Sequence, residues 1–548
     1  MKTEKISTTI ILAATQHMPV SGYDSHMLPI RGKPCIAWVI DEFYQKDNIV
    51  LVLNKNNTKV MDYIEHRYPE IKIVGVTEED EINKYHMFSI LNSLNAGLSK
   101  VKENETRLKI VLGDTLCRMG GNNNFASDMI LVSSDFDSSD RWCLVETNEN
   151  NQAKEFYDKK PNLPTKGKFA VVGYYQLNDV KLLKNIVDKC IEAKKKQISD
   201  VLSEYMKIHS ITCNKVENWF DLGHRAGIIK AQNNFFNSRD FNSLYTNQIT
   251  GTITKISSKI QKLRDEYDWY KNLPDELKVL SPRPISFEEN LNDAALTMEM
   301  YGYPALSELF ILGNLSIEEW KLIIKRLFEV HQVFEKHKGN LDKENFYDLY
   351  LHKTWQRLKD LREQNPYWEK MWQYDDIIVN GQKYKNIRFF ETKLVQKIDE
   401  LVQSVDVSVM HGDYCFSNIL FDTNSFLCRL IDPRGRLHDQ TIYGDPRYDI
   451  AKLRHSVVGG YDYAVHGLFE LVEKGNEFTV ANNYPDFQEK MTDYFDEMTE
   501  QFGYDTTQIK LIEALLFTSM IPLHKDSMER QKLFYLKAVK KLNELFEE

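Results

Sequence analysis

Apolar residues in the first part of the chain fall into short runs separated by stretches with helical spacing. The runs at residues 8–14, 49–53, 71–76 and 109–112 are typical of buried strands, whereas residues 34–44 and 87–94 have helical periodicity. Strands that alternate with helices predict an α/β domain in which a mostly parallel sheet carries helices on both faces. Ligands of such sheets bind beyond the carboxyl ends of the strands, and Gly113-Asp114 directly follows the last of these runs.

A stretch rich in Asn and Phe, residues 227–247, separates this pattern from a second one. We therefore predict two domains, residues 1–238 and 239–548. In the second domain a β-branched strand at 251–256 precedes a helix at 262–273. Ser316 and Glu319 form a capping box for a helix at 317–334. Residues 343–403 and the chain beyond Leu453 are also predicted to be helical.

Residues 409–435 carry three side chains suited to one reaction. Asp413 follows an apolar run, so we expect it on a loop that leaves a strand, and Asn418 stands in the same loop. Asp432 ends the next apolar segment. The two apolar segments flank a polar turn at 422–425, which predicts a hairpin. That hairpin brings Asn418 and Asp432 to the same end of the site.

Phosphoryl transfer requires a carboxylate that orients and deprotonates the attacking hydroxyl, and hard oxygen ligands for Mg²⁺ on the ATP phosphates. Asp413 suits the first role, and Asn418 with Asp432 suits the second. The alternative is that both segments are only surface turns rich in Asp and Asn. That alternative is disfavoured because both turns occur in order and each adjoins an apolar segment.

This region resembles the aminoglycoside phosphotransferase and choline kinase-like superfamily, whose catalytic loop is His-Gly-Asp-x-x-x-x-Asn followed by Ile-Asp. The matching residues are His411, Gly412, Asp413, Asn418, Ile431 and Asp432. The resemblance implies a two-lobed, protein-kinase-like α+β domain. Its small lobe would span about 248–300 and its large lobe about 301–548.

Kinase folds also use a strand lysine that holds the ATP phosphates and pairs with a helix glutamate. Lys255 and Glu266 are the candidates, and Lys259 is a rival for Lys255. The alternative is that this lysine and this glutamate are ordinary members of a strand and a helix. Met298 and Met300 lie in a segment that resembles the linker between lobes, whose backbone meets adenine.

Two further candidate residues follow the triad of Asp413, Asn418 and Asp432 along the chain. Arg434 could meet phosphate or an anionic substrate, or it could be a surface salt-bridge partner. Asp449 stands in a phrase that resembles the superfamily's Tyr-Asp-Leu-Ala, which implies that it orients the active loop and does not react.

Five phrases in the N-terminal half resemble those of the sugar nucleotidyltransferases, also called nucleotide-sugar pyrophosphorylases. They are Ile11-Leu12-Ala13-Ala14, Leu28-Pro29-Ile30-Arg31-Gly32-Lys33-Pro34, Leu112-Gly113-Asp114, Lys159-Lys160-Pro161 and Trp219-Phe220-Asp221-Leu222-Gly223. The resemblance implies that Asp114 and Asp221 bind a metal ion and that Lys160 meets a substrate phosphate. It places Ala14 and Lys33 in the same site.

The sequence departs from that family's pattern in the segments that would contact the nucleotide. Residues 15–22 lack the Gly-x-Gly-x-Arg pattern that surrounds a triphosphate, and residues 84–94 lack the Gly-Thr-Ala phrase that touches the base. Glycines in such a loop let the backbone approach phosphate closely. The alternative is a domain that keeps the fold but only binds a ligand or supports its neighbour.

Composition narrows the classes of protein to which the chain could belong. The chain has 548 residues, of which 42% are hydrophobic and 27% charged, so it is globular and long enough for several domains. The net charge of −10 argues against a nucleic-acid partner. The seven scattered cysteines contain no Cys-x-x-Cys pair, which favours reduced thiols in a cytoplasmic protein. The apolar run at 10–14 is too short to span a bilayer, so no membrane insertion is expected.

Together these patterns predict a bifunctional enzyme. It would phosphorylate a small hydroxylated metabolite or sugar with ATP and then transfer a nucleotidyl group to the product from CTP or another nucleoside triphosphate. Such products usually feed surface polysaccharide or lipid decoration. The alternatives are a kinase with an inactive N-terminal domain and an interaction protein without catalysis. The sequence does not set the oligomeric state.

Overall fold

The computed structural model describes residues 7–14, 23–30, 32–77, 89–118, 127–136, 138–223, 227, 230–231, 242–247, 249–437 and 442–546. The chain divides into two compact units, Met1–Phe235 and Phe236–Glu548. This division lies close to the boundary that the sequence suggests.

The first unit is built on a nine-stranded mixed sheet. Its strands, with those of two small ribbons, are β1 Ser7–Ala13, β2 Pro29–Ile30, β3 Lys33–Pro34, β4 Asp47–Asn54, β5 Lys72–Val76, β6 Leu108–Leu112, β7 Thr115–Arg118, β8 Met129–Ser133, β9 Cys143–Thr147, β10 Ala153–Asp158, β11 Lys168–Leu177, β12 Thr212–Lys215 and β13 Asn218–Asp221. Its helices are α1 Cys35–Asp41, α2 Thr58–Arg67, α3 Ile90–Leu98, α4 Val180–Glu192 and α5 Ile198–Tyr205, with a 3-10 turn at Ser25–Met27.

The main path of the sheet runs in the order β10-β9-β11-β6-β1-β4-β5. The contiguous strands β6, β1, β4 and β5 are parallel, whereas β11 runs antiparallel to β6, β8 and β9. All seven residues of β1 are buried, because a strand in the middle of a sheet that helices cover meets no solvent. The predicted α/β class is therefore confirmed, and its parallel strands are the ones predicted from the apolar runs.

Among its described residues the second unit contains three antiparallel ribbons or sheets, one mixed sheet and most of the helices. Its strands are β14 Asn242–Asn247, β15 Thr252–Ser257, β16 Pro284–Glu289, β17 Ala294–Glu299, β18 Asp376–Val379, β19 Gln382–Lys385, β20 Ser408–Val409, β21 Ile419–Asp422, β22 Leu427–Leu430, β23 Tyr443–Gly444, β24 Phe469–Lys474 and β25 Glu477–Asn482. Its helices are α6 Ile260–Asn272, α7 Asp275–Lys278, α8 Leu306–Leu312, α9 Ile317–Glu335, α10 Glu344–Tyr347, α11 Lys353–Gln364, α12 Pro366–Gln373, α13 Glu391–Gln403, α14 Pro446–Val457, α15 Tyr461–Val465, α16 Gln488–Gln501, α17 Thr506–Met520 and α18 Met528–Phe546. A π-helical turn at Asp348–His352 joins α10 to α11, and 3-10 turns lie at Ile387–Phe390, Phe416–Asn418 and Ile521–Leu523.

A small sheet with the order β14-β15-β17-β16 begins the second unit, and every neighbouring pair in it is antiparallel. Helix α6 follows β15 and is amphipathic, with Leu263, Glu266, Trp269 and Tyr270 buried. The predicted strand and helix are therefore both present. The predicted capping box also forms, because the Ser316 backbone N–H donates to Glu319 Oε2 at 2.7 Å.

One sequence-based expectation about this unit is wrong. Residues 343–403 and the chain beyond Leu453 are not entirely helical, because they contain two hairpins, β18–β19 and β24–β25. The hairpins join through parallel pairing of β18 with β25 into one four-stranded sheet. In the first turn Asn380 and Gly381 have φ values of 51° and 81°, and the pair Asn-Gly tolerates such left-handed angles. Local turn chemistry therefore prevails over helical propensity here.

An aromatic cluster supports the loop that carries the predicted catalytic residues. Phe416 is fully buried, and its ring centroid lies 5.3 Å from that of Phe310 and 5.6 Å from that of Trp320. Stacked and edge-on aromatic pairs at such distances stabilise a core beyond the area that they bury. The loop therefore rests on a rigid base.

Within the part of the chain that the structure describes, no helix combines the length and the apolar character that a bilayer crossing requires.

Candidate functional site

The loop that follows β20 is held by one buried carboxylate. Asp449 accepts hydrogen bonds from the backbone N–H groups of His411, at 2.7 Å, and Gly412, at 2.8 Å. Asp449 lies in the first turn of α14 and is completely buried. These contacts agree with the orienting role expected for Asp449. A carboxylate that accepts two backbone N–H groups fixes the direction in which the loop leaves the strand.

Asp413 is the next residue of this loop, and its carboxylate has two nitrogen partners. Asn418 Nδ2 donates to Asp413 Oδ2 at 2.9 Å, and Lys452 Nζ lies 2.8 Å from Asp413 Oδ1. Burial alone would raise the pKa of Asp413, but the Lys452 ammonium outweighs it and holds the pKa at about 2. Asp413 is therefore an oriented, ionised carboxylate that remains 39% exposed.

The predicted hairpin is confirmed. Strands β21 and β22 pair antiparallel, with Ile419 opposite Leu430. The backbone N–H of Ile431 then donates to the carbonyl of Asn418 at 2.9 Å, which places Asn418 and Asp432 at the same end of the hairpin. Asp432 has a φ of 52°, a left-handed angle that costs free energy in a non-glycine residue. Such strain at a candidate ligand is typical of a functional position.

Lys255 joins the small sheet, α6 and the hairpin. Its ammonium donates to Glu266 Oε2 and to Asp432 Oδ1, both at 2.7 Å. Burial alone would lower the pKa of Lys255, but the carboxylates of Asp432 and Glu266 outweigh it and raise the pKa. The structure thus brings together the predicted Lys255–Glu266 pair. The rival Lys259 is the residue that precedes α6, where its backbone N–H donates to Ser257 Oγ.

Met298 and Met300 occupy the segment predicted to link the two lobes. The Met298 side chain is buried on β17, and the backbone N–H of Met300 donates to the Gly251 carbonyl at 2.9 Å. The chain then continues to Pro304, whose carbonyl accepts from Phe421 N at 2.9 Å. The linker therefore joins the small sheet to the hairpin, as expected of a segment between two lobes.

Arg434 leaves the hairpin toward the catalytic loop. Its backbone N–H donates to the His411 carbonyl at 2.9 Å, and its guanidinium lies 5.7 Å from the centre of the Tyr448 ring. Among the described residues no carboxylate lies within 4.0 Å of this guanidinium. The contacts therefore do not support the surface salt bridge that the sequence left open.

His331 lies on α9, is buried and contacts the carboxylate that holds the loop. The ring Nε2 lies 3.5 Å from Asp449 Oδ2, and Nδ1 lies 3.3 Å from Glu335 Oε1. Burial alone would lower the pKa of His331, but Asp449 and Glu335 outweigh it and raise the pKa to about 9. His331 is thus a positioning residue that supports the carboxylate behind the loop.

The first unit brings its two predicted metal-binding aspartates together. Asp114 immediately precedes β7, Asp221 ends β13, and these two strands pair antiparallel with Thr115 opposite Asp221. A Cβ on Gly223 would lie 2.8 Å from Asp114 Oδ2 and 3.2 Å from Asp221 Oδ1. The two carboxylates therefore flank one point that only a glycine leaves open. Paired hard oxygens around such a point suit a divalent cation.

Ala14 lies beside this pair. It follows β1, whose Leu12 accepts from the Gly113 backbone N–H at 2.8 Å, one residue before Asp114. A Cβ on Gly113 would lie 2.7 Å from the Ala13 Cβ, so the two backbones approach closely. The carboxyl ends of β1 and β6 therefore form one edge of the candidate site.

The two predicted lysines do not show such convergence. Lys33 contacts the Asp41 carboxylate, and its ammonium lies 4.1 Å from the centre of the Trp38 ring, both on α1. Lys160 is exposed beyond the end of β10. Among the described contacts neither ammonium reaches Asp114 or Asp221. The loop at 15–22 and residues 84–88 lie outside the described residues.

Sequence analysis missed two cations. Lys452, the partner of Asp413, lies three residues beyond Asp449 on α14, within the phrase already compared with the superfamily. Its place one helical turn from an orienting residue is a signal that could have found it. Lys353 begins α11 and approaches the loop only in the folded chain, so no local pattern indicates it.

Comparison with known families confirms the resemblance predicted for the N-terminal half. Residues 13–238 match the family model described as Nucleotidyl transferase, and this span includes both Asp114 and Asp221. No curated protein matches the chain significantly.

Three of the solved structures that match share little sequence identity with this chain. A thermostable mutant of aminoglycoside phosphotransferase APH(4)-Ia, in the apo form, is 11% identical over 55% of this chain and 89% of that chain, with a TM-score of 0.33. A ternary complex of a thermostable mutant of the same phosphotransferase with AMP-PNP and hygromycin B is 10% identical over 56% of this chain and 91% of that chain, with a TM-score of 0.34. A putative fructosamine-3-kinase from Haemophilus somnus 129PT is 12% identical over 56% of this chain and 88% of that chain, with a TM-score of 0.33.

The first unit thus resembles the nucleotidyltransferase family over residues 13–238. The second has a kinase-like arrangement in its small antiparallel sheet, its Lys255–Glu266 pair and the loop that presents Asp413.

Proposed function

We propose that the chain is a bifunctional enzyme that phosphorylates a small hydroxylated compound with ATP and then transfers a nucleotidyl group to the product. The observation that carries the first activity is the contact of Lys255 with both Glu266 and Asp432. This contact links the strand lysine and helix glutamate of one lobe to a candidate metal ligand of the other. Asp413 and Asn418 stand on the loop beside it.

Asn418 and Asp432 would hold Mg²⁺, which neutralises charge on the ATP phosphates. Both side chains offer the hard oxygens that this ion prefers. The amide nitrogen of Asn418 donates to Asp413, so the amide oxygen of Asn418 points away from Asp413. Lys255 is protonated and suits the α- and β-phosphates, which it would reach by exchanging a carboxylate for a phosphate oxygen.

Asp413 would orient the acceptor hydroxyl. That oxygen forms a bond to the γ-phosphorus while the bond to the β,γ-bridging oxygen breaks, and ADP leaves with that electron pair. The hydroxyl proton passes to Asp413 late in the reaction and then to water. A carboxylate whose pKa is about 2 is a weak base, so its main contribution is orientation.

In the second activity a phosphate oxygen of the product would attack the α-phosphorus of CTP or another nucleoside triphosphate. The α,β-bridging bond breaks and pyrophosphate leaves. Asp114 and Asp221 would hold a divalent cation against these phosphates. The family match and the convergence of both carboxylates near Gly223 support this step.

A second candidate function is a kinase with an N-terminal binding domain. The engagement of Lys33 by Asp41 and Trp38 favours it, because that lysine then faces α1. In either case we expect a cytoplasmic protein, where ATP and reduced thiols prevail. Surface polysaccharide or lipid decoration is the pathway that the combination of both activities suggests.

The decisive experiment has two stages. The full chain is incubated with magnesium-ATP and a panel of sugars, polyols and amino alcohols, and phosphate transfer is measured by mass spectrometry. The phosphorylated product is then supplied with CTP, UTP, GTP or ATP, and pyrophosphate release is measured for wild type, Asp114→Ala and Asp221→Ala. We expect release with at least one triphosphate, lost in both variants, with kinase turnover unchanged. No release with any triphosphate would leave only the kinase.

A further inference from the structure

A cavity of about 1020 Å³ opens in the second unit beside the catalytic loop. Helices α11, α12 and α13 and the segment after the hairpin line it. Its described lining includes five cations and two carboxylates. They are Lys353, Lys359, Arg362, Arg434 and Arg436, with Asp348 and Glu391. The excess of positive charge is unexpected in a chain whose net charge is −10.

Three of these cations are already engaged. Arg436 pairs with Asp265 at 2.9 Å, Lys359 lies 3.9 Å from Glu363, and the Arg362 guanidinium lies 4.4 Å from the centre of the Trp372 ring. For Lys353, Arg362 and Arg434 no carboxylate lies within 4.0 Å among the residues that the structure describes. Of these three cations, Lys353 and Arg434 also lie near the loop that carries Asp413.

Lys353 is half-buried at the start of α11. Burial lowers its pKa to about 7, together with repulsion from Arg434, Arg357 and Lys452. A group of cations that repel one another in a partly buried place is unfavourable until an anion joins them. The arrangement therefore suits a charged ligand better than a neutral one.

The cavity adjoins the loop that carries Asp413 through Arg434, which lines it. A Cβ on Gly412 would lie 2.5 Å from the Arg434 Cβ, so Arg434 packs against the residue that precedes Asp413. Lys452 pairs with Asp413 itself. Lys255 and Glu266, the candidate nucleotide-binding pair, do not line the cavity. The cavity is thus placed for the acceptor and not for the adenine nucleotide.

We propose that the acceptor carries a carboxylate or phosphate group, which Lys353 and Arg434 bind while its hydroxyl faces Asp413. The proposal rests on the kinase activity proposed above and adds the chemical class of the substrate. Guanidinium and ammonium groups both form charge-assisted hydrogen bonds with either anion. The geometry of the described residues does not select between the two anions, so the experiment must.

The test uses sets of acceptors that share a carbon chain and differ in one terminal group, which is neutral or anionic. Glycerol, glycerate and glycerol 3-phosphate form one set, ribitol, ribonate and ribitol 5-phosphate form a second, and choline is the cationic probe. Turnover with magnesium-ATP is measured for each on the full chain, and binding of each anion is measured by calorimetry without ATP. We expect kcat/KM to be at least about tenfold higher for an anionic member than for its neutral parent. Preference within a set separates carboxylate from phosphate.

Lys353→Met should raise KM for the preferred anion roughly ten- to hundredfold, because a charged hydrogen bond is lost, and should leave KM for ATP nearly unchanged. Lys353→Arg should restore most of the affinity. Lys370→Met is the matched control, since Lys370 is exposed on α12 and does not line the cavity.

Three results would overturn the proposal. They are equal or better turnover of neutral or cationic acceptors, failure of every anion to bind in calorimetry, and an effect of Lys353→Met on ATP instead of the acceptor. Failure of the kinase proposal is distinct, because it would show as magnesium-ATP binding that does not depend on Asp432.

Discussion

The two candidate sites differ in how far the described contacts organise them. In the second unit both aspartates of the predicted triad have a partner from another element: Asp413 pairs with Lys452, and Asp432 pairs with Lys255. In the first unit Asp114 and Asp221 converge, but Lys33 pairs with Asp41 of α1 and Lys160 is exposed. Carboxylates alone can hold a cation, whereas phosphoryl transfer also needs positive groups aimed at the phosphates.

The difference shows what each fold can fix without its substrate. A helix, a strand and a hairpin meet at Lys255, so the kinase-like site is already arranged in the described structure. Arranged charges need little reorganisation at the moment of reaction, which is where most electrostatic catalysis originates. In the nucleotidyltransferase-like site the strand pairing of β7 with β13 fixes only the carboxylates.

The largest expected effect comes from Asp413→Asn. We expect kcat for phosphoryl transfer to fall roughly 10²- to 10⁴-fold, because the hydroxyl loses its charged acceptor. The amide keeps the shape of the side chain, so magnesium-ATP affinity should change little. Steady-state kinetics and calorimetry measure the two quantities. Asp406→Asn, which removes an exposed surface partner of Lys338, is the control. A variant with more than half of the wild-type turnover would falsify the role of Asp413.

Asp432→Ala tests the other end of the hairpin. It removes a candidate metal ligand and one partner of Lys255, so we expect magnesium-ATP to bind roughly ten- to hundredfold more weakly, together with loss of turnover. Calorimetry with and without magnesium measures the change. Asp114→Ala, the equivalent change in the other site, should leave this affinity intact. Unchanged affinity in Asp432→Ala would contradict its role as a ligand.

His331→Gln should change stability in a pH-dependent way. The folded-state pKa of His331 is raised to about 9 from an ordinary value of 6.5, so protonated His331 stabilises the fold. That contribution is fully present below about pH 6.5 and is lost as the pH rises through about 9. We expect the variant to be less stable by roughly 1–3 kcal/mol at pH 6 and nearly equal to wild type at pH 10. Denaturant unfolding at both pH values measures this, and a difference that does not depend on pH would exclude the ion pair.

Much of the fold could be predicted because short stretches of sequence determine many of its elements. The strands β1, β4, β5 and β6 are continuous apolar runs, and the capping box at Ser316 is a three-residue spacing. The prediction of helix for all of residues 343–403 missed the hairpin β18–β19, although Asn380-Gly381 signals it. The hairpin β24–β25 likewise turns at Gly475, whose φ is 69°.

The candidate site was predictable only where neighbours in sequence are also neighbours in space. Asp413 and Asn418 share a loop, whereas Lys255 meets Asp432 across 177 residues and needed a general feature of kinase folds to be proposed. Lys353 and His331 approach the loop from separate helices, and no short motif encodes such an approach. The sequence phrase that carries Lys33 did not indicate its contacts in the fold. Lys33 contacts Asp41, eight residues later, and Trp38 of the same helix.

The smallest expected effect, and the sharpest test of the comparison, is that of Lys33→Met. The sequence resemblance implies that Lys33 belongs to the nucleotidyl-transfer site. Its observed contacts are instead with Asp41 and Trp38 of α1. A partly exposed ion pair and a cation–π contact each stabilise a fold by about 1 kcal/mol or less. We therefore expect a loss of about that size in the free energy of unfolding.

Pyrophosphate release by Lys33→Met should stay within about twofold of wild type, since the difference between a spectator and a charged ligand is at least about tenfold. Asp114→Ala, measured in the same assay, supplies the scale for a residue of the site. Lys160→Met completes the set, because an exposed lysine is free to close on a phosphate when substrate arrives. If Lys33→Met instead loses as much activity as Asp114→Ala, substrate must draw Lys33 away from Asp41. The first site would then be assembled by its substrate, in contrast to the second, which the described contacts already hold in place.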